Sequence, residues 1–312
     1  MPETREFSEE RIYMNTKVRI RIFSDLGTVS SRDLIKEAFS KFDYVTEKYT
    51  RFNQTSELSS LNRNSGHFHK VNPELFTLIE KLIQYSTLTE GAFDPTIIDL
   101  LEMYGFKKDS NYEELKDENL LKNIQTYLKT RPSFRDIKFD KTNSAIKLQA
   151  GQRIDLGSIG KGLAIDLAAS VLEPVNNFII NAGGDIRAHG SKPDGPWTVG
   201  LAQHELPNKG VGGGYFGHIN IINQSLAASG GWGRRVRFFH HLLNPKTGMP
   251  INEVSQTFTL ANDAQTADVW ATILFASGKQ GPDLLDTTEE IEGMIVFADG
   301  STYCSRGFSF IS

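Results

Sequence analysis

Between Arg153 and Asp166 the sequence R-I-D-L-G-S-I-G-K-G-L-A-I-D sets Lys161 among Gly157, Gly160 and Gly162, just before an apolar-periodic run. Such a helix entrance suits anions, because its first amide groups have no partner within the helix and the positive end of its dipole points outward. A lysine adds a mobile positive charge, and glycines let backbone approach a ligand closely. The stretch reads as a phosphate site; a glycine-rich turn with a solvated lysine is the alternative these residues leave open. It is not a P-loop, because only Ser158 and Ile159 separate Gly157 from Gly160 and Gly162 follows the lysine, and it is not G-x-G-x-x-G either. Later in the chain, T-A-D-V-W-A-T places Asp268 and Thr272 four residues apart, one helical turn above the other. A carboxylate and a hydroxyl are hard oxygen ligands of the kind magnesium accepts beside waters and phosphates. The pair alone fits equally a solvated aspartate with a threonine bonded to its own helix.

His240 and His241 precede Leu242-Leu243-Asn244-Pro245 at a strand end, a reasonable place for a general base. His67, His69, His204 and His218 lie in polar or glycine-rich surroundings and read as surface residues, and no H-x-x-x-H pair supports a zinc site. G-A-F-D-P-T, from Gly91 to Thr96, is a rigid polar corner after a helix. Cys304 is the single cysteine, which excludes an internal disulfide and a cysteine-rich metal site.

These side chains need a scaffold. The 312 residues can bury a sizeable core, with 39% apolar and 23% charged residues. A net charge of −4 without a basic block argues against general nucleic-acid binding. The polar, acidic start lacks the apolar core of a signal peptide and no run has transmembrane length, so a cytoplasmic protein is expected. Lys17–Ser24 alternates as a half-buried strand, and Ser30 or Ser31 is placed to cap a helix through Leu34, Ala38, Phe42 and Val45. Phe52–Asn62 is too polar for a core element and reads as a loop. Asn72-Pro73 opens a clear helix. Residues 107–135, rich in charge and Asn, read as one or two solvated helices of an appended lobe apart from the site. A hairpin over Ile137–Leu148, a helix to about Leu172 and a strand at Phe178–Ile180 follow. After a strand at Trp197–Ala202, Asn208–Gly217 reads as a flexible loop and Ile219–Ile222 as a strand. Strand Thr257–Ala261, a helix from about Asp263 to Ser277 and a closing pair at Gly293–Phe297 and Gly300–Cys304 complete the chain. Irregular alternation with adjacent hairpins predicts the α+β class, in one large or two modest domains.

In order along the chain, S-E-L-S-S-L-N, G-A-F-D-P-T, I-D-L-G-S-I-G-K-G-L-A-I-D, N-A-G-G-D-I, S-G-G, H-L-L-N-P-K-T-G and A-D-V-W-A-T resemble the ApbE-like FAD:protein FMN transferase family, from about residue 14 to 280. The resemblance implies a bilobal, T-fold-related α+β architecture with mixed or antiparallel sheets and flanking helices, as a single domain over 1–312. It also implies FAD as substrate, Mg2+ on its pyrophosphate, and transfer of FMN to a threonine or serine hydroxyl of an acceptor flavoprotein, with AMP released. FAD hydrolysis to FMN and AMP, or FAD binding without turnover, are the other readings. Position by position, Ala92, Phe93, Asp94, Asp155 and Lys161 match the family's flavin-dinucleotide contacts, and Met14 and Leu242 match weaker ones. Asp268 and Thr272 match its metal ligands, Ser158 matches a position lending a backbone carbonyl to the metal, and His241 matches the candidate base of H-x-x-[DN]-P. Lys161 is also expected to act in catalysis. Phe52 stands where the family usually has a tyrosine at a cofactor contact, Asn244 where aspartate is commoner, and S-G-G-W-G-R replaces S-G-[DN]-Y. No acceptor motif is evident; D-G-S-T-Y-C at Asp299 is a partial likeness.

Overall fold

The computed structural model describes residues 4–107, 117–203, 214–236 and 238–312. Strands β1 (Arg5–Tyr13) and β2 (Thr16–Ser24) form a hairpin, followed by helices α1 (Thr28–Tyr49) and α2 (Glu57–Arg63). Strand β3 (Phe68–Lys70), helices α3 (Pro73–Leu88), α4 (Ile98–Met103) and α5 (Asp117–Thr130), and the hairpin β4 (Lys138–Asp140) and β5 (Ala145–Lys147) come next. Helix α6 (Gly160–Val171) leads into β6 (Asn177–Ala182), β7 (Asp185–His189), β8 (Trp197–Gln203), β9 (Gly214–Ile221) and β10 (Ser225–Gly230). The short strands β11 (Arg235–Val236) and β12 (Phe239–His240) precede β13 (Val254–Ala261), α7 (Ala264–Ser277), α8 (Gly281–Asp286), β14 (Ile291–Phe297) and β15 (Thr302–Cys304).

The main sheet has eight strands in the order β1-β2-β6-β7-β10-β13-β14-β15, with antiparallel neighbours throughout. Its inner face carries Val18, Ile20 and Ile22 of β2 and Ile180 of β6 into one core with α1, α6 and α7. Its outer face packs Ile186, Leu226 and Phe258 against Trp197, Val199 and Leu201 of the separate β8–β9 hairpin. A third cluster joins Leu100 of α4 and Tyr104 just past its end, Leu120 and Ile124 of α5, Val236 and Leu243. This is the expected α+β arrangement.

Helix α7 is buried almost all round, so it sits inside the fold rather than on it. Asp263 caps it by accepting from the Thr266 amide at 2.7 Å, and β13 holds its flank through Thr257 Oγ1 to Ala271 O (2.7 Å) and Thr259 Oγ1 to Ala267 O (2.6 Å). Helix α6 crosses it closely enough that a Cβ on Gly162 would lie 2.4 Å from Ala264 O. Asp166, one turn further along α6, accepts from the Ala264 and Gln265 amides at 2.8 and 2.9 Å. The two helices that carry the sequence's most chemical residues are therefore fastened N-terminus to N-terminus.

Several local expectations change. The polar N-terminal segment is strand β1, an edge strand whose charges pair across to β2 as Arg19–Glu10 (2.7 Å) and Arg21–Glu6 (2.6 Å). Helix α1 begins after Gly27 without a side-chain cap; Ser31 is buried and bonds Ser24 Oγ at 3.0 Å instead. The segment read as a loop contains α2, with Ser56 capping the Ser59 amide and Leu58 and Leu61 buried. Leu58 and Leu61, three residues apart in a polar stretch, form its buried face together with Ser59. Gly214–Gly217 open strand β9, while the rest of the expected loop and His204 lie outside the described residues. The segment expected to stand apart from the site includes α5, which buries Leu120 and Ile124 and leads into Arg131.

Candidate functional site

Lys161 lies in the first turn of α6, and its Nζ reaches the Asp185 carboxylate and stands 3.7 Å from Asp268 Oδ1. Asp185 begins β7 directly after the Gly183–Gly184 turn, where both glycines have positive φ and the chain reverses between paired strands. It is 2% exposed, and its second oxygen accepts from the Ala228 amide at 3.4 Å. Asp268 is also buried, and its Oδ2 accepts from the Gly162 amide at 3.0 Å. Burial raises the Asp268 pKa, while Lys161 and the Gly162 amide act in the opposite direction.

The three glycine amides of the entrance already have acceptors within the protein. Gly157 donates to Asp155 Oδ1 (2.8 Å), Gly160 to Leu156 O (2.8 Å) and Gly162 to Asp268. Glycine at 162 is required by the close approach of α7, and the positive end of α6 faces a carboxylate of the protein itself. The stretch thus builds a lysine–dicarboxylate cluster rather than a bare anion nest.

Thr272 sits one turn beyond Asp268 on α7, half-buried, with its Oγ1 3.3 Å from Ser229 Oγ. Magnesium usually takes one or two protein carboxylates and completes its shell with waters and substrate phosphates. A buried carboxylate and a hydroxyl on one helix face, with the Ser158 segment on the cavity wall, fit that ion. Among the described residues no group of three His, Cys, Asp or Glu fits a metal held by protein alone.

A cavity of about 130 Å³ adjoins this cluster, lined by Ala92, Phe93, Asp94, Asp155, Ser158, His241, Leu242 and Thr272 among others. Residues from four distant stretches of sequence thus share one wall. Ligand clefts typically measure about 300–1,000 Å³, so a dinucleotide could place only part of itself in this slot. A larger groove of about 670 Å³ lies on the outer face of the main sheet, along Arg19, Asn181 and Leu226, but it contains none of the expected site residues. Chemistry, not size, assigns the site to the smaller cavity.

The two carboxylates on that wall are held. Asp94 is buried and accepts from the Thr96 amide (2.8 Å) and Thr96 Oγ1 (2.6 Å) on Oδ1, and from Arg131 on Oδ2. Asp155 Oδ2 pairs with Arg51 Nε at 3.0 Å, and its amide donates to Pro95 O at 2.9 Å, joining the α6 entrance to the G-A-F-D corner.

The two histidines divide. His240 is buried, donates from Nε2 to Ile251 O (3.0 Å) and accepts the Leu242 amide on Nδ1 (3.2 Å), so both ring nitrogens are committed to structure. His241 lines the cavity, with Nδ1 3.3 Å from Arg234 O. A carbonyl can only accept, so Nδ1 carries the hydrogen and Nε2 keeps its lone pair. Burial, then the Arg234 charge, pushes the His241 pKa down to about 4, which keeps the ring neutral near pH 7.

Met14 and Phe52 do not line the cavity. Met14 occupies the β1–β2 turn with φ 49°, and Thr16, the first residue of β2, packs against Gly183, two residues before Asp185. Phe52 lies under the Arg51 guanidinium, 4.3 Å from ring centroid to Cζ. The cluster also contains Asp185, Arg51, Ser229 and Arg131, which the sequence does not single out. Asp185 and Ser229 stand in the N-A-G-G-D and S-G-G motifs; Arg51 and Arg131 carry no local signal, because their partners lie 104 and 37 residues away.

Residues 14–295 match the model of the ApbE family. The chain is 28% identical over 290 residues to the FAD:protein FMN transferase of Haemophilus influenzae, covering 89% of this chain and 82% of that one. It is 26% identical over 310 residues to the FAD:protein FMN transferase of Klebsiella pneumoniae, covering 95% and 90%. The crystal structure of the ApbE protein from Thermotoga maritima superposes with a TM-score of 0.85 at 29% identity over 97% of both chains. The flavin transferase ApbE from Vibrio cholerae shares the fold, with a TM-score of 0.84 at 24% identity over 98% of this chain and 99% of that one. With its motifs in order, its fold matched from end to end and the family model spanning most of its length, this chain belongs to the ApbE family.

Proposed function

We propose that this protein is an FAD:protein FMN transferase, moving FMN from FAD to a threonine or serine hydroxyl of an acceptor protein with Mg2+ bound at Asp268, Thr272 and the Ser158 carbonyl. The observation that carries the reading is the convergence of Asp94, Asp155, Ser158, His241 and Thr272 on one cavity beside the Lys161–Asp268 cluster. The names of the relatives point the same way.

The acceptor oxygen attacks the phosphorus of the FMN half, the bond from that phosphorus to the bridging oxygen breaks, and AMP leaves with that oxygen. Phosphoryl transfer asks the protein mainly for positioning and charge neutralisation. His241 suits the proton transfer, because Arg234 O fixes its tautomer and leaves Nε2 to take the hydroxyl proton. Lys161 is a cation between two carboxylates, and a pyrophosphate can compete with Asp185 for it. Bound magnesium would supply Lewis-acid neutralisation of the phosphate oxygens.

The test combines purified protein, FAD, Mg2+ and an acceptor domain with a flavinylation-motif threonine. Covalent flavin fluorescence on the acceptor, with one AMP per flavin, is the expected result. AMP formed equally fast without acceptor would make the protein an FAD hydrolase. Tight FAD binding with no AMP would make it a flavin carrier.

A further inference from the structure

Arg131 follows α5, in a stretch whose composition gives no hint of a site. Its side chain is 9% exposed and pairs with Asp94, whose own side chain is 3% exposed. Asp94 lines the cavity and Arg131 does not. An ionised carboxylate has about four acceptor positions, and here Thr96 fills two and Arg131 one, leaving one open on a fixed group that lines the cavity. Arg131 Nη2 also donates to Thr96 Oγ1 at 3.2 Å, so the three side chains bond one another, while the buried Arg131 Nη1 has no hydrogen-bond partner.

The arginine is itself held. Its amide donates to Tyr127 O at 2.8 Å, and Tyr127 donates its hydroxyl to Asp99 Oδ2 at 2.9 Å. The same helix sinks Leu120 and Ile124 into the cluster that contains Leu243, two residues after His241. Helix α5 therefore braces the G-A-F-D corner and the histidine loop together. Among the described residues, Asp94 is the carboxylate within 4 Å of Arg131.

We propose that Arg131 is a positioning residue for flavin-dinucleotide binding: it supplies the counter-charge and the fixed rotamer of Asp94, whose remaining acceptor position takes an N–H or O–H donor of the dinucleotide. This rests on the FAD reading above. A purely structural ion pair would need only stability, whereas a positioning pair sets ligand affinity through Asp94.

The experiment is titration of FAD into native protein, R131Q, R131K, D94N and D94N/R131Q, following flavin fluorescence, with thermal melting of each ligand-free protein. R131Q and D94N should each bind FAD at least about tenfold more weakly, the expected scale for losing or misaiming a charge-assisted hydrogen bond. R131K should recover most of the affinity, because it restores the charge without the fork. The double variant should bind FAD as D94N does, since Arg131 acts only through Asp94. This last comparison holds even if R131Q fails to fold, because the double variant leaves no buried charge unpaired. Native-like affinity in R131Q, or a further tenfold loss in the double variant over D94N, would overturn the proposal. Native protein that leaves FAD unbound would overturn the functional reading and this inference with it; native binding retained in both single variants would overturn this inference alone.

Discussion

Protonation of His241 should destabilise the ligand-free protein in mild acid by a predictable amount. The ring's pKa falls from an ordinary 6.5 to about 4 in the fold, chiefly through burial and then the Arg234 charge. The folded pKa is the lower one, so the unfolded chain binds the extra proton first, and stability falls as pH drops below about 6.5. Between pH 7.5 and pH 5 the unfolded histidine becomes almost fully charged while the folded one stays largely neutral, a difference of about 2 kcal/mol. For a chain of 312 residues that corresponds to a Tm shift of about 3 °C. Other groups titrate across the same range, including His240, whose pKa burial also lowers. The measurement is therefore the difference between native protein and H241Q, each melted at both pH values without metal or flavin. Native protein should lose about 3 °C more than the variant on acidification. Equal losses, or a His241 ring proton titrating near 6.5 by NMR, would refute the reasoning and remove the case for a neutral base in this cavity.

The Lys161–Asp185–Asp268 cluster yields three further expectations. Lys161→Met should weaken FAD binding and lower stability by about 2–3 kcal/mol, below the usual cost of breaking a fully buried pair because Lys161 remains 29% exposed; unchanged FAD affinity and melting would exclude it from the site. Asp268→Ala, or chelation of the native protein, should abolish transfer, and Mg2+ should restore only the chelated native protein; full activity of the variant would remove α7 from the metal site. Gly162→Ala should cost about 1–3 kcal/mol and transfer activity together, because its Cβ would meet Ala264 O at 2.4 Å and push α6 off the carboxylate that its amide holds. A variant melting and turning over like native would refute that packing.

Periodicity and capping made the scaffold's larger pieces legible, because burial and local hydrogen bonding write them directly into sequence. Asn72-Pro73 starts α3 and Asp263 starts α7 by the bonds their types predict. Charged residues misled where they pair across strands, as in β1, or cover a small buried face, as in α2. The candidate residues of the cavity wall were legible through ordered motifs, since Asp94, Asp155, His241 and Thr272 each stand in one. What holds those residues was not. The partner of Asp155 is Arg51, that of Lys161 is Asp185, and that of Asp94 is Arg131, each supplied by an element remote in sequence. The same limit explains why the glycine amides of the entrance have partners that the motif does not name. Its anion-seeking amides were inferred correctly as a type, but the carboxylate that occupies Gly162 arrives from α7, 106 residues later. A motif states which groups a site needs, while the charge that keeps each group in place is chosen by tertiary packing. That is why the residues most informative to mutate next are the partners rather than the motif members. Loss of a motif residue removes chemistry under almost any mechanism, whereas loss of Arg131 or Arg51 asks whether this particular geometry is the one that works.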